Sequence, residues 1–434
     1  MKIGKRSCIA LLVGFMTFPA LAQGLKPVDR PEELGFAADR LARVTTVFQE
    51  YVDSGQLPGA VVLIARNNQI AYLKAFGYRD REQKIAMMPD SIFRIASMTK
   101  PIVSAAAMIL VEEGRLNLAA PVAQYLPEFK DLQVLTERKD PTTGNIETQL
   151  SPQMRPMIVQ DLLRHTAGLV YGPPIGSGPV ADMYRDAKVS DRDTTLAEMV
   201  TKVSKLPLAH QPGEVWEYSM AIDVLGRVIE VVSGRDLDTF VAERVTGPLG
   251  MTSTGFYVAA AERDRIAQPQ ADASGQRPAM FDPTVRPKLF SGGGGMVSTA
   301  GDYLRLCEMF LDGGKFGGTQ LLAPSTVALM TANALKPGIG YATTALTRMG
   351  DIAPTPAMGQ GFGLGFAVRT EAGENPLPGS VGTFYWTGAF GTTFLVDPKQ
   401  KLIVIMMIQV PLGPPAAQFR HVVRSLAYQA LTSN

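Results

Sequence analysis

A serine and a lysine three residues apart are the side chains in this sequence best suited to nucleophilic chemistry. Ser97-Met-Thr-Lys100 stands at the start of a predicted helix that ends near Gly114. Positions i and i+3 share one face of a helix, so the hydroxyl and the amine can meet. A serine hydroxyl is a weak nucleophile near neutral pH until a neighbouring base activates it. The same four residues also fit an ordinary helix start, with Ser97 as cap and Lys100 in solvent.

Two later segments carry further candidates. Tyr218, in Trp216-Glu-Tyr-Ser-Met220, can shuttle a proton, although a buried packing tyrosine fits equally well. Trp386-Thr-Gly388-Ala389 lies on a predicted strand, where a glycine often marks the close approach of a ligand or of another backbone. Such a strand beside the serine can offer a backbone N–H to an oxyanion. An aromatic strand with a bulge is the alternative interpretation.

The elements that must position these residues follow from the apolar pattern. We predict helices over residues 31–56, 97–114, 195–205, 224–232 and 416–432, and strands over 59–65, 70–76, 362–369, 382–390, 392–398 and 401–410. Few residues between 116 and 287 show the alternating or continuous apolar pattern of a strand. The pattern predicts an α+β fold in which both chain ends build one mixed antiparallel sheet with flanking helices. Residues 23–115 and 288–434 then form a discontinuous sheet domain and residues 116–287 a mainly helical one, with Ser97 near their junction.

Composition narrows the functional classes. The chain has 434 residues, 46% of them hydrophobic and 19% charged, and a net charge of +2. Without a long basic run, nothing indicates nucleic acid as a partner. The three histidines, His165, His210 and His421, lack partners at metal-ligand spacing, so we predict neither metal nor cofactor. Cys307 lies in an amphipathic helical pattern and is predicted to be a core residue.

The N-terminus has the sequence pattern of a secretory signal peptide. Lys2, Lys5 and Arg6 precede a mostly apolar stretch, and Ala20-Leu-Ala22 is a small-x-small cleavage site. Cleavage after Ala22 makes residues 1–22 a signal peptide and places the mature protein in the periplasm or outside the cell. We expect no integral membrane anchor after cleavage. The oligomeric state is not visible in the sequence.

Taken together, these motifs resemble those of a known family. The order Ser97-x-x-Lys100, then Tyr218, then Trp386-x-Gly388 is similar to that of the penicillin-recognising serine hydrolases with the β-lactamase/transpeptidase-like fold. The closest branch is the class C β-lactamase-like group and, within it, the family VIII carboxylesterases. Three further segments resemble motifs of this group, namely residues 161–169, 292–302 and 362–366.

The resemblance implies a mechanism. Ser97 attacks a carbonyl and forms an acyl-enzyme, while Lys100 and Tyr218 act as general base and acid. Which of the two is the main base stays open at this point. The backbone N–H groups of Ser97 and Ala389 form the oxyanion hole. Trp386, Gly388 and Met220 are the implied substrate-binding positions.

Two departures from the β-lactamase pattern bear on the substrate. Trp386 replaces a lysine that recognises a substrate carboxylate, and Met220 replaces an asparagine that pairs with a substrate amide. Both changes favour an esterase acting on small to medium carboxylic esters. A β-lactamase or D-amino-acid peptidase, an acyl transferase, and a catalytically silent binding protein remain the alternatives. The absence of G-x-S-x-G argues against the ordinary lipase plan, so His165 is predicted to be structural.

Overall fold

The computed structural model of the protein describes residues 26–139, 142–271, 276–278, 280–411 and 413–432. The predicted signal peptide lies outside these residues. Within the described ranges, no helix combines the length and the apolar character that crossing a bilayer requires.

The strands are β1 (Gly59–Arg66), β2 (Gln69–Asp80), β3 (Ile85–Ala86), β4 (Phe93–Arg94), β5 (Gln133–Lys139), β6 (Ile146–Pro152), β7 (Val215–Trp216), β8 (Val297–Ser298), β9 (Lys315–Phe316), β10 (Thr319–Gln320), β11 (Gly340–Tyr341), β12 (Gln360–Phe362), β13 (Ala367–Arg369), β14 (Phe384–Thr387), β15 (Thr393–Asp397) and β16 (Leu402–Met407). The α-helices are α1 (Ala38–Asp53), α2 (Thr99–Glu112), α3 (Val159–Leu163), α4 (Pro179–Asp186), α5 (Leu196–Val203), α6 (Ala221–Ser233), α7 (Leu237–Val241), α8 (Ala300–Leu311), α9 (Pro324–Thr331), α10 (Thr343–Arg348) and α11 (Pro414–Gln429). Short 3-10 turns lie at Pro31–Leu34, Ala96–Met98, Val122–Gln124, Pro127–Phe129, Ala260–Arg265, Gly350–Ile352 and Pro356–Met358, and a π-helical turn spans Ala242–Thr246.

The main sheet joins both ends of the chain. Its eight strands run in the order β12-β13-β14-β15-β16-β1-β2-β3, with antiparallel neighbours throughout. The strands from the two ends of the chain meet where β1 pairs with β16, with Leu63 opposite Ile405. The predicted α+β fold is therefore confirmed. The domain boundaries at residues 115 and 288 stay predictions.

Helices cover the sheet on both faces. Every residue of β1 is buried, as expected for a strand with packing on each side. Helices α1 and α11 pack on each other and against β2 and β16, while α8 packs against β1, β15 and β16. Helix α2, buried from Thr99 to Leu110, packs against α6 of the middle region. It therefore links the sheet to the helices of the middle region.

Three predictions about elements were inaccurate. The segment 362–369, predicted as one strand, instead contains a tight turn between the antiparallel strands β12 and β13, in which the Gly363 N–H donates to the Phe366 carbonyl oxygen at 2.9 Å and Gly365 has a φ of 112°. The middle region contains a hairpin, β5–β6, that the pattern missed, because its residues are largely exposed and Val134 is one of few buried ones. The first predicted helix is divided into a 3-10 turn and α1, with the chain at Gly35 in the left-handed region.

Candidate active site

Ser97 lies in the tight turn between β4 and α2. The 3-10 turn Ala96–Met98 leads directly into the helix, and Ala96 has a φ of 43°. A positive φ is uncommon for alanine and marks a strained turn. Ser97 is partly exposed, whereas its neighbours Ala96 and Met98 are buried. The turn thus presents one hydroxyl to solvent from an otherwise buried segment.

Lys100 lies one turn along the same face and is fully buried. Its Nζ donates to Ser97 Oγ at 3.2 Å, to Tyr171 Oη at 3.1 Å and to the Gly293 carbonyl oxygen at 2.7 Å. An ammonium group has three donors, so these acceptors match its full complement. The solvated-lysine alternative is therefore excluded.

Tyr218 completes the contact on Ser97. Its Oη donates to Ser97 Oγ at 2.6 Å, and the indole Nε1 of Trp386 donates to Tyr218 Oη at 3.3 Å. The Nζ of Lys100 lies 4.5 Å from the centre of the Tyr218 ring. The structure therefore brings Ser97, Lys100 and Tyr218 together from segments that are far apart in sequence.

Aromatic rings hold the Tyr218 side chain in place. Trp216 stacks against it with ring centres 6.2 Å apart, as the sequence predicted, and His165 lies 4.9 Å away. The backbone N–H of Ser219 donates to His165 Nδ1 at 3.3 Å. Burial and the Lys100 charge hold the pKa of His165 well below its usual value, so the ring is neutral. His165 is thus structural, as predicted, and it holds the segment around Tyr218.

Two residues near Lys100 were missed by sequence reasoning. Asp223, on α6, is buried and accepts from Ser291 Oγ and from the Gly293 N–H. Burial raises the pKa of Asp223, while Ser291 and the Lys100 charge act in the opposite direction. Burial, with Asp223 and Tyr218 nearby, raises the pKa of Tyr171 well above its usual value, so Tyr171 stays a neutral phenol. Because Asp223 Oδ1 accepts two hydrogen bonds, we interpret Asp223 as a carboxylate behind Lys100.

Gly293 allows the side chains of Lys100, Asp223 and Tyr171 to pack closely around its backbone. A Cβ at this position would lie 2.4 Å from Asp223 Oδ2 and 2.8 Å from Tyr171 Oη. Only a glycine lets both side chains approach the backbone that accepts from Lys100. The glycine run at 292–295 and a lone aspartate in an apolar helix were the available sequence signals.

Two backbone amides face the same space without a partner. Among the described residues, the N–H groups of Ser97 and Ala389 have no hydrogen-bond acceptor, and both residues line one cavity. Gly388 is buried, and a Cβ there would lie 2.3 Å from the Ile95 carbonyl oxygen. Gly388 thus allows β14 and its continuation to pass beside the turn that carries Ser97.

The cavity has a volume of about 490 Å³. Its walls come from the turn at Ser97, the loop after Tyr171, the segment 188–192 and apolar side chains that include Met220, Leu289 and Phe281. Met220 was predicted to touch substrate, and the structure places it at this wall. A mostly apolar pocket with a few polar groups suits a small organic ligand.

Trp386 does not occupy the place that the sequence suggested. It is 1% exposed and lies behind Tyr218, packed against Phe362 with ring centres 5.3 Å apart, and the cavity walls are formed by other residues. Gly388 likewise packs against backbone rather than facing the cavity. Both residues act on the site through their neighbours.

Two other sequence expectations can be compared with the structure. Cys307 is buried in α8, as predicted. Within the described part of the chain, no cluster of three or more histidine, cysteine, aspartate or glutamate side chains could hold a metal ion.

Comparison with known proteins agrees with this geometry. Residues 44–429 match the family model described as Beta-lactamase. Protein Rv1367c from Mycobacterium tuberculosis (strain ATCC 25618 / H37Rv) is 39% identical over 369 residues, covering 83% of this chain and 88% of that protein. Esterase EstB from Burkholderia gladioli is 33% identical over 396 residues, covering 86% and 91%.

A solved structure shares both fold and sequence. EstCE1, described as a hydrolase with promiscuous acyltransferase activity, has a TM-score of 0.73 at 30% identity, over 90% of this chain and 99% of that one. The chain belongs to the β-lactamase family. Its fold and its relatives make it a β-lactamase-fold member of a serine hydrolase family that includes esterases.

Proposed function

We propose that the protein is a serine esterase that cleaves small to medium carboxylic esters through an acyl-enzyme on Ser97. The observation that carries the proposal is that Ser97 Oγ lies 3.2 Å from Lys100 Nζ and 2.6 Å from Tyr218 Oη at the wall of an open cavity. A hydroxyl within reach of a base and an ammonium group is the arrangement of an activated nucleophile. EstB and EstCE1, described as an esterase and a hydrolase, support the same reaction class.

In the first half-reaction, Tyr218 acts as a phenolate: Ser97 Oγ bonds to the ester carbonyl carbon and the proton of Ser97 passes to Tyr218 Oη. The carbonyl oxygen becomes an oxyanion, and the unpaired N–H groups of Ser97 and Ala389 donate to it. The carbon–oxygen bond to the alcohol then breaks, and the alkoxide takes the proton from Tyr218. In the second half-reaction, water attacks the acyl carbon and gives a proton to the Tyr218 phenolate, and Tyr218 passes this proton to Ser97 Oγ as the bond between Ser97 and the acid breaks.

The contacts of Lys100 favour Tyr218 as the proton acceptor. All three ammonium donors have an acceptor, and the buried carboxylate of Asp223 lies behind the Gly293 backbone. Lys100 then acts as a fixed positive charge that stabilises negative charge on Ser97 and Tyr218 during proton transfer. Trp386 Nε1, which donates to Tyr218 Oη, adds to this stabilisation.

The substrate preference rests on Met220 at the cavity wall and on Trp386, which is buried behind Tyr218. Met220, at the wall, cannot pair with an amide, and Trp386 lies at the position of a carboxylate-binding lysine. Both changes disfavour penicillins, cephalosporins and D-amino-acid peptides. An apolar wall instead suits the alkyl part of an ester.

Acyl transfer to an alcohol is a second candidate. The cavity of about 490 Å³ has room for an acceptor beside the acyl group, and EstCE1 is described as having promiscuous acyltransferase activity. In this reaction, an alcohol replaces water as the attacking group. Adding methanol or butanol to the assay would reveal it as a new ester among the products.

Export is also part of the proposal. The N-terminal pattern of basic residues, apolar stretch and Ala20-Leu-Ala22 supports a periplasmic or secreted enzyme. Expression of the full chain in a Gram-negative host, followed by fractionation and N-terminal sequencing, tests it. A mature N-terminus at Gln23 in the periplasmic fraction is the expected result, and uncleaved chain in the cytoplasm would contradict it.

The test of the function is a pair of initial rates. We expect fast turnover of p-nitrophenyl butyrate, slow turnover of a chromogenic cephalosporin, and no turnover above blank in Ser97→Ala. A mass shift of one acyl group on Ser97 after a serine-directed phosphonate or a slow ester would identify the nucleophile. Faster turnover of the cephalosporin than of the ester would place the protein with the β-lactam hydrolases.

A further inference from the structure

An arginine at the wall of the Ser97 cavity has no partner. Arg192 is partly buried and lines the same cavity as Ser97 and Met220. Its guanidinium carbon lies 4.2 Å from the centre of the Phe281 ring. Among the described residues, no side chain or carbonyl forms a hydrogen bond or an ion pair with its guanidinium group. The five donors of this charged group are therefore unmatched within the described part of the protein.

Two nearby arginines, in contrast to Arg192, have partners within the fold. Arg94 lies over the same Phe281 ring, yet its donors reach the carbonyl oxygens of Phe281 at 2.7 Å and Ala267 at 3.0 Å. Arg185, also at the cavity, is exposed and ion-paired with Asp182 and Asp186. Each of these arginines is paired within the fold, whereas Arg192 is not.

The environment of Arg192 gives a reason to expect an anion there. Burial lowers its pKa, and no carboxylate nearby acts in the opposite direction. A partly buried charge without a partner costs free energy, which an anionic ligand would recover. The stack on Phe281 fixes the plane of the guanidinium, and its fork of N–H groups matches the two oxygens of a carboxylate.

Charges around the wall do not supply that anion. Asp191 is the neighbouring carboxylate, and its Oδ1 accepts from the Asp193 N–H at 3.0 Å. Lys188, exposed at the rim, adds positive charge. Asp223 lies at the opposite side, where it is held by Ser291 and Gly293.

We propose that Arg192 binds a carboxylate of the substrate, so that the preferred substrates are esters that carry a free carboxylate elsewhere in the molecule. This inference rests on the proposed esterase function. It gives the cavity a second polar contact, remote from Ser97, which fixes the orientation of the ester within mostly apolar walls. The carboxylate of the substrate is then bound at Arg192 and not at the position of Trp386, where the β-lactamase pattern has a lysine.

Two matched pairs of substrates test the proposal and locate the carboxylate. Mono-(4-nitrophenyl) glutarate against 4-nitrophenyl pentanoate places it in the acyl half. In the second pair, 4-acetoxybenzoate against methyl 4-acetoxybenzoate places it in the alcohol half. In wild-type protein we expect kcat/KM to be about tenfold higher for the anionic member of one pair, the size of a charge-assisted hydrogen bond. High salt should reduce this ratio.

Three variants assign the ratio to Arg192. Arg192→Met keeps an apolar stem against Phe281 and should remove the preference, chiefly through a higher KM for the anionic ester. Arg192→Lys should retain part of it. Arg185→Met is the control, because Arg185 lies at the same cavity but is paired with Asp182 and Asp186, and it should keep the wild-type ratio.

The outcomes separate this inference from the esterase proposal. If wild-type protein hydrolyses no ester faster than Ser97→Ala, the proposed function is wrong and this inference falls with it. If neutral esters are hydrolysed but both ratios are unchanged in Arg192→Met, Arg192 does not bind substrate and only this inference is overturned. Loss of rate on both members of a pair to the same extent would also overturn it, because it would indicate a general structural effect.

Discussion

The two sides of Ser97 differ in how their polar groups are satisfied. On the inner side, Lys100 has three acceptors, Tyr218 contacts Ser97 and Trp386, and Asp223 is held by Ser291 and a backbone N–H. On the cavity side, the N–H groups of Ser97 and Ala389 have no acceptor in the described structure, nor does the guanidinium of Arg192.

In the proposed mechanism, this difference separates the residues that hold the reacting groups from the residues that recognise a ligand. Paired groups on the inner side keep the nucleophile and its proton partner in place before substrate arrives, which is what catalysis by preorganised polar groups requires. Unpaired donors on the cavity side gain their partners only when substrate binds. Substitutions on the inner side should therefore lower kcat, and substitutions on the cavity side should change which ester is preferred.

The largest effect is expected on the inner side at Ser97 and Lys100. Ser97→Ala and Lys100→Ala should each lower the rate on p-nitrophenyl butyrate by at least about 10³-fold, because nucleophile and positive charge act as a unit. Ser104→Ala is the control, since Ser104 is buried on the same helix and its hydroxyl has no partner in the described structure. Initial rates with circular dichroism measure both activity and fold. Substantial activity in a folded Ser97→Ala protein would refute the mechanism.

A smaller effect is expected at Asp223, which touches no substrate in the proposed mechanism. Asp223→Asn keeps the size of the side chain but removes the negative charge behind Lys100. We expect kcat to fall about tenfold, the equivalent of roughly 1.4 kcal/mol, with KM for a neutral ester unchanged. Steady-state kinetics separate the two constants, and Ser291→Ala, which keeps the charge, should have the milder effect. A change confined to KM would place Asp223 with the cavity side instead.

A substitution at Trp386 tests whether this residue belongs to the inner side or to the cavity side. Trp386→Phe keeps an aromatic ring behind Tyr218 and removes the indole N–H that donates to Tyr218 Oη. Because one hydrogen bond contributes about 0.5–1.5 kcal/mol, we expect a few-fold loss of kcat on every ester. The measurement is kcat/KM for p-nitrophenyl esters from acetate to octanoate. Met220→Ala is the comparison, because Met220 lines the cavity and its loss should change the chain-length profile; a changed profile in Trp386→Phe would contradict the assignment.

The smallest effect on activity is expected at a carboxyl group outside both sides. Burial on α8 and the nearby Asp312 raise the pKa of Glu308 to about 7. A carboxyl whose folded pKa is raised favours folding when protonated, so its contribution is full below about pH 4.5 and is lost as the pH rises to about 7. Glu308→Gln should therefore be more stable than wild type at pH 8, by about 1–3 kcal/mol, and little different at pH 4.5.

Urea unfolding at both pH values measures this difference, and ester turnover at pH 8 serves as the internal control. Unchanged turnover with a stability gain at pH 8 alone is the expected pattern. An equal gain at both pH values would show that packing rather than ionisation is responsible.

The sequence was informative where function depends on spacing along the chain. Ser97 and Lys100 are neighbours on one helical turn, so their contact follows from local geometry alone. Tyr218 could be chosen only because the order of several motifs resembled a family. The strands at both chain ends were predictable because β1 and β16 are continuous apolar runs.

Other features had no local signal. Tyr171, Asp223 and Gly293 lie in three separate segments, and nothing in any one of them shows that it reaches Lys100. The strand over residues 362–369 appeared continuous because most of its residues are apolar, whereas the folded chain turns at residues 363–366 so that β12 and β13 pair with each other. Trp386 was expected to touch substrate because it replaces a lysine that recognises a substrate carboxylate in the family pattern, but the packing of Phe362 and Tyr218 encloses it.

The sequence by itself determined the α+β class and the family, and it indicated the candidate nucleophile and its helical neighbour. Each of these depends on residue type and on spacing within a turn or along a strand. The tertiary structure alone decided which polar groups are paired and which remain available in the cavity. That distinction depends on distances between segments as far apart as Arg192 and Phe281, which meet only when the chain is folded.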